Sequence, residues 1–341
     1  MWWAALLLLS SVGVASCPGR CLCFPSSNLV NCQSRELTRV PQRVPHGAWL
    51  VDLSRNRLTE VQGHAFTGLW SLRILLLSNN SIHVLEPQSL SSLQFLETLD
   101  LSFNRLERLP PDFSQSLGSL LELRLQHNLL VHLAPPTMDR LENLRKLDLG
   151  HNLIRTLEAG LLNRLGHLRY LNLEGNRLSV LEDGLLARQQ RLEVLRLGHN
   201  NISLMESEAL APLPALNLLG LRGNRLEHVH FRVFLGLRST SSTYLQLSFN
   251  PWTCDCELHR VFGKIRHVRY LRVEDYEEII CGGPATLAGA SLSSLDGRLC
   301  LAETSAVLVI TLTVVLAVIC ALVKAKRSSA SKRSVPDPLG N

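Results

Sequence analysis

From Val51 to Asn250 the apolar positions fall on a fixed ruler, leucine-x-x-leucine-x-leucine-x-x-asparagine-x-leucine, as in Leu72, Leu75, Leu77, Asn80 and Ile82. Nine asparagines close the pattern at positions 56, 80, 104, 128, 152, 176, 200, 224 and 250, so that eight are spaced by 24 residues and the last interval is 26. Within each unit the two inner leucines alternate with polar residues, the period of a short strand with one buried face. One strand per unit, stacked in register, predicts a parallel sheet in which each coil touches only its neighbours. The asparagine stands where the chain leaves the strand, and its amide can serve backbone groups that burial would otherwise leave without partners. Further apolar anchors, such as Val61, Phe66 and Leu69 or Leu109, Phe113 and Leu117, supply the opposite, convex side.

A period of roughly 20–29 residues with this core is the signature of leucine-rich repeats. The expected fold class is therefore an α/β-type leucine-rich repeat solenoid with its parallel sheet on the concave face, about nine repeats of 24 residues filling 46–249. Such a stack needs capped ends. Four cysteines precede the repeats (Cys17, Cys21, Cys23, Cys32), four follow them (Cys254, Cys256, Cys281, Cys300), and none lies between. Each set of four allows three connectivities. The flanking segments resemble the cysteine-rich caps of extracellular leucine-rich repeat proteins. At the N-terminus (17–45) the likeness runs through Cys17-Pro18, Cys21-x-Cys23, Val30-x-Cys32, Leu37, Val40-Pro41 and Pro45. At the C-terminus (250–300) it runs through Asn250-Pro251-Trp252-x-Cys254-x-Cys256, Cys281, Pro284, Leu287, Gly289 and Leu292. The resemblance implies disulfides Cys17–Cys23, Cys21–Cys32, Cys254–Cys281 and Cys256–Cys300. One departure is Phe262, where the family pattern leads one to look for tryptophan in the cap helix.

Paired cysteines imply an oxidising compartment, and the chain ends agree. Residues 1–16 read as a signal peptide, with an apolar run from Ala4 to Leu9 and small residues up to Ser16. Thr304 to Val323 contains no charge, enough for one membrane-spanning helix. The tail, 324–341, opens on Lys324, Lys326 and Arg327, which by the positive-inside rule makes it cytoplasmic. The expected topology is a single-pass type I protein of the plasma membrane with the ectodomain outside. The tail holds five basic residues and one acid, so +4 of the formal net charge of +6 resides there and the overall basicity says nothing about nucleic acid.

Catalysis finds no constellation, and neither a cofactor nor a small-molecule substrate is expected. Of twelve histidines, His127, His151 and His199 share the position just before the asparagine. With adjacent coils about 5 Å apart, His127 and His151 are neighbours. A row of this kind suits a metal or a pH response, but Arg55, Phe103, Gly175 and Phe249 occupy the same position elsewhere, which favours tolerated filling of a strand edge.

What a solenoid offers is surface. Strand residues pointing from the core into the concave face include an apolar group, Leu50, Ile74 and Leu76, and the anchors Arg124, Tyr170, Arg196, Arg222 and Tyr244 among charges of both signs. That mixture suits a protein partner. Two glycosylation sequons, at Asn79 and Asn201, fall at strand exits. Only Leu301, Ala302 and Glu303 separate the last cap cysteine from the apolar run, a tether that favours a partner in the same membrane. Thr313, Ala317 and Ala321 recur every four residues and put small side chains on one helix face. Cys320 is a palmitoylation candidate or an apolar filler. Two function classes follow: a receptor, adhesion or signalling-modulator protein, whose layout is similar to the leucine-rich repeat and transmembrane domain group, and an auxiliary subunit of a channel or receptor. In the second class the chain resembles potassium-channel gamma subunits but carries more repeats.

Overall fold

A computed structural model of the chain describes residues 17–211, 213–237, 242–295 and 298–331. The expected signal segment, 1–16, and the end of the tail lie outside the described residues. Among those described, twelve strands form one sheet. Nine of them are the repeat strands, from Leu50–Asp52 through Ile74–Leu76, Thr98–Asp100 and their successors to Thr243–Gln246. Each pairs in parallel with the next, Val51 with Leu75, Leu75 with Leu99, Leu99 with Leu123, so the spacing of the leucines becomes the register of the sheet.

The sheet also continues into both caps, which the repeat period did not foretell. A hairpin of Leu22–Phe24 and Leu29–Asn31 extends it at one end, and Leu271–Val273 extends it at the other. The caps therefore bury the terminal coils by adding strands as well as by covering them. Cys17–Cys23 and Cys21–Cys32 tie the first cap, and Cys254–Cys281 ties the second. Cys256 and Cys300 are likewise disulfide-bonded, and Cys320 is free.

Inside the coils the strand-centre leucines are fully buried, and eight of the nine asparagines are buried with them, Asn80 being partly exposed. Asn152 is representative. Its Nδ2 donates to the carbonyls of Leu149 in its own coil and Leu125 in the preceding one, both at 3.0 Å, and to Gly150 at 3.3 Å. Its Oδ1 accepts from the Leu130 N–H at 3.1 Å. One amide thus joins two coils and partners backbone groups that have left the sheet ladder. The residue before each asparagine turns the chain out of the strand with a positive φ: 55° at Arg55, 54° at Asn79 and Phe103, 56° at His127, 53° at His151 and 52° at His199.

The C-terminal cap is built on the helix Cys256–His267, whose N-cap Asp255 accepts from Leu258 N–H at 2.8 Å. Leu258, Val261, Phe262 and Ile265 form its buried stripe. Phe262 meets Trp252 edge-on at 5.9 Å between ring centres and lies 6.1 Å from Tyr276. The departure from tryptophan therefore leaves an aromatic contact in place.

The described residues divide into two compact units at Ser293/Ser294. In the second, a helix spans Arg298–Ser331. Among the described residues no helix is long and apolar enough to cross a membrane. The apolar side chains described in this one, from Leu308 to Val323, are all exposed. Thr313, Ala317, Ala321 and Lys324 are exposed on it, and Lys326 and Arg327 follow in the same helix.

Candidate functional site

Strand alternation sends every second residue of the sheet to the concave face. Two rows result. One runs Leu29, Leu50, Ile74, Thr98, Glu122, Lys146, Tyr170, and the other runs Asn31, Asp52, Leu76, Asp100, Arg124, Asp148. The cap hairpin adds Phe24 opposite Leu29 and Leu22 opposite Asn31. The apolar group read from the repeats, Leu50, Ile74 and Leu76, is therefore half of a larger patch that includes Leu22, Phe24 and Leu29. Leu22 is 51% exposed and Phe24 45%. Sequence reasoning missed these cap residues because they precede the first repeat and belong to no period.

The middle of the face is charged and internally paired. Glu122 accepts from Arg124 Nε at 2.7 Å and from Lys146 Nζ at 2.9 Å, and Arg124 approaches Asp100 at 3.7 Å. Burial works against the Glu122 charge, but the hydrogen bonds from Arg124 and Lys146 outweigh it and hold the carboxyl below its ordinary range. Lys146 also lies over the Tyr170 ring at 5.4 Å. Arg196 pairs with Glu174 at 3.8 Å. Arg222 reaches Glu278 of the C-terminal cap at 3.3 Å and stacks on Phe249 at 4.4 Å. Arg124, Arg196 and Arg222 are thus held in place by neighbours, and the structure does not gather them into one cluster. Tyr244 stands further along the face at 39% exposure. The sequon residues Asn79 and Asn201 are both exposed at strand exits.

Along the exit edge of the sheet the histidine row has a definite geometry. Phe103 stacks on His127 at 4.3 Å, and His127 stacks on His151 at 4.4 Å. The next coil carries Gly175, where a Cβ would collide with the His151 ring, and Gly223 stands in the same relation to His199. A histidine followed one period later by glycine, twice, is the sequence signal for this packing. No group of three or more metal-ligating side chains occurs among the described residues. Burial, then the charge of His151, pushes His127 below the ordinary histidine value of 6.5, with Asp148 opposing. The unfolded chain consequently binds more protons than the folded one in mildly acid solution. Stability is complete above about pH 6.5 and falls as the pH drops through that value. His127→Phe, which continues the ring stack at a position where Phe103 and Phe249 already show the same backbone conformation, should therefore lose less in melting temperature than the parent chain between about pH 7.5 and about pH 5. Equal losses would show that the stack does not titrate with folding.

The leucine rich repeat profile matches residues 50–106, 94–154, 118–178, 166–226 and 190–252. Among curated proteins, the peroxidasin homolog of Mus musculus is 44% identical over 78 residues, 23% of this chain and 5% of that protein. Leucine-rich repeat and transmembrane domain-containing protein 1 of Mus musculus is 41% identical over 81 residues, 21% of this chain and 23% of its own length. The chain thus spans a minor part of these relatives. Among solved structures, human 5T4 (Wnt-activated inhibitory factor 1, trophoblast glycoprotein) superposes with a TM-score of 0.62 at 24% identity, covering 84% of this chain and 98% of that one. At that identity the likeness is one of fold. With its repeats matched from residue 50 to 252 and their asparagine ladder in place, the chain belongs to the leucine-rich repeat family.

Proposed function

We propose that this chain is a non-enzymatic cell-surface protein that binds another protein through the concave face of its repeats, as a receptor, adhesion molecule or signalling modulator. The observation that carries the reading is the patch of Leu22, Phe24, Leu29, Leu50, Ile74 and Leu76, unpaired and facing outward beside a field of fixed charges. Apolar anchors bordered by ordered polar groups are the anatomy of a protein interface. In this reading residues 1–16 direct export, 304–323 span the plasma membrane, and the tail from Lys324 is cytoplasmic. Asn79 and Asn201 carry glycans on the extracellular side. The test is proximity labelling in intact cells with the parent chain and with the double substitution Ile74→Glu and Leu76→Glu. Both side chains are partly exposed on the concave face and lie outside the leucine core, so folding should survive. Specific extracellular neighbours should fall by about tenfold or more, as loss of interface anchors does. An unchanged neighbour set at equal surface level would refute concave-face binding.

A second reading, an auxiliary subunit of a membrane channel or receptor, is favoured by the exposed apolar face of the helix Arg298–Ser331, where Thr313, Ala317 and Ala321 follow at steps of four. Ala317→Leu with Ala321→Leu would block close approach of a second helix. Loss of a membrane-embedded neighbour in those variants, with the concave-face variants unaffected, would select this reading over the first.

A further inference from the structure

On the flank where the chain climbs from the convex turns into the strands, three consecutive coils carry arginine at one register position: Arg140, Arg164 and Arg188. Each sits directly before a buried anchor, Leu141, Leu165 or Gln189, and these anchors close equivalent turns onto Met138, Leu162 and Leu186. The three turns are alike, so the three arginines emerge side by side along the solenoid axis. Three residues further on the same positions hold Asn143, His167 and Arg191, and at the strand entrances stand Arg145 and Arg169. All of these side chains are exposed. Arg169 is paired with Glu193 at 2.6 Å. Arg140, Arg145, Arg164, Arg188 and Arg191 make no ion pair among the described residues. This distinguishes them from the arginines of the concave face, where Arg124, Arg196 and Arg222 are each matched with a carboxylate. The acids of the strip are Asp139 and Glu142 in its first coil and Glu193 at the third strand entrance, where it is taken up by Arg169. The second and third coils offer Asn163, Gly166, Ala187 and Gln190 in their place. A Cβ at Gly166 would have nothing within 4 Å, so the ground between the rows is open.

We infer that this flank binds an extended sulfated polysaccharide of the glycosaminoglycan class. Guanidinium groups give paired, directional hydrogen bonds to sulfate and carboxylate oxygens. Arginines repeated on coils whose strands are about 5 Å apart present those groups along a line, which suits a linear polyanion. A protein ligand would call for apolar or aromatic anchors at the centre, and a single-stranded nucleic acid for aromatic platforms between the cations. The strip has neither; the exposed aromatics of this flank, Trp70 and Phe95, belong to earlier coils. The inference needs this flank to face the extracellular space, as in the proposed topology, but the binding itself is measured on purified protein and stands or falls apart from both topology and concave-face binding.

The experiment applies the purified full chain to immobilised heparin and compares three proteins. In the first variant Arg140, Arg164 and Arg188 are each changed to Gln. In the second, an equal number of exposed arginines next to the ladder asparagines, Arg55, Arg105 and Arg177, are changed in the same way. Melting curves establish that both remain folded. The parent chain should be retained and elute only at raised salt, since the contacts are ionic. The first variant should bind about tenfold more weakly and respond less steeply to salt, while the second should stay near the parent. Desulfated heparin should fail to compete. Equal weakening in the two variants would reduce the effect to net charge and overturn the proposal. So would undiminished competition by desulfated heparin, or stronger binding to single-stranded DNA or to anionic lipid vesicles than to heparin.

Discussion

Replacing Asn152 with alanine should cost this protein more stability than almost any exposed substitution. The side chain sits at the centre of the stack and is 3% exposed. Its removal leaves the Leu130 N–H without a partner and takes one of two donors from each of the Leu125 and Leu149 carbonyls, which keep Asn128 and Asn176. Water cannot replace those partners readily, because the leucines above and below are fully buried. The orphaned N–H alone costs about 1–3 kcal/mol, and the weakened carbonyl contacts add to it, so the total exceeds the roughly 1 kcal/mol typical of point substitutions. The informative control is not Asn79→Ala. Asn79 adopts φ 54°, a conformation asparagine tolerates and alanine resists, so that variant would report backbone strain along with any lost glycan. Ser81→Ala removes the same sequon without touching the turn. Cell-surface yield and melting temperature should drop sharply for Asn152→Ala and remain near the parent for Ser81→Ala. Equal values in the two variants would mean that the asparagine ladder is dispensable.

That ladder was legible because its physics is local and repeated. A buried amide must find partners, and a 24-residue period of leucines dictates the sheet register that supplies them. The cap hairpin was not legible, since three-residue strands outside the repeat show no alternation long enough to read. The turn conformation at Arg55, Phe103, His127 and His151 was equally silent. Only Asn79, Gly175 and Gly223 on the same row are residues that the left-handed region selects for. Charge was the least readable feature. The sequence placed Arg124, Arg196 and Arg222 on the concave face but could not show that each is already engaged. The Arg222 partner, Glu278, comes from the cap, far along the chain. Where partners are distant in sequence, composition records the charges and the fold decides which are spent internally. The flank arginines of the fifth to seventh coils became visible as a separate feature only after that subtraction.

Close packing between coils makes the second large prediction. Gly236→Ala should destabilise the end of the solenoid by at least the roughly 1–3 kcal/mol of ordinary overpacking. A Cβ there would lie 2.6 Å from the Ala211 carbonyl oxygen and 2.7 Å from its carbon, with the Cα nearer still. Those are backbone atoms of the preceding coil, so no side chain can rotate away, and the two coils must part. Parting them would disturb Phe234 and Leu237, both fully buried at this end of the core, and with them the coil on which the C-terminal cap rests. Gly263→Ala supplies the contrast. It lies within the helix Cys256–His267, and its Cβ would meet nothing within 4 Å. Relief of glycine's conformational entropy in a helix should stabilise by about 0.5–1 kcal/mol. Melting temperatures should thus move in opposite directions, by about 2–4 °C for each kcal/mol in a domain of this size. A Gly236→Ala protein that melts with the parent would show that the eighth and ninth coils are loosely apposed. The glycine would then be an accident of the sequence and not a requirement of the stack.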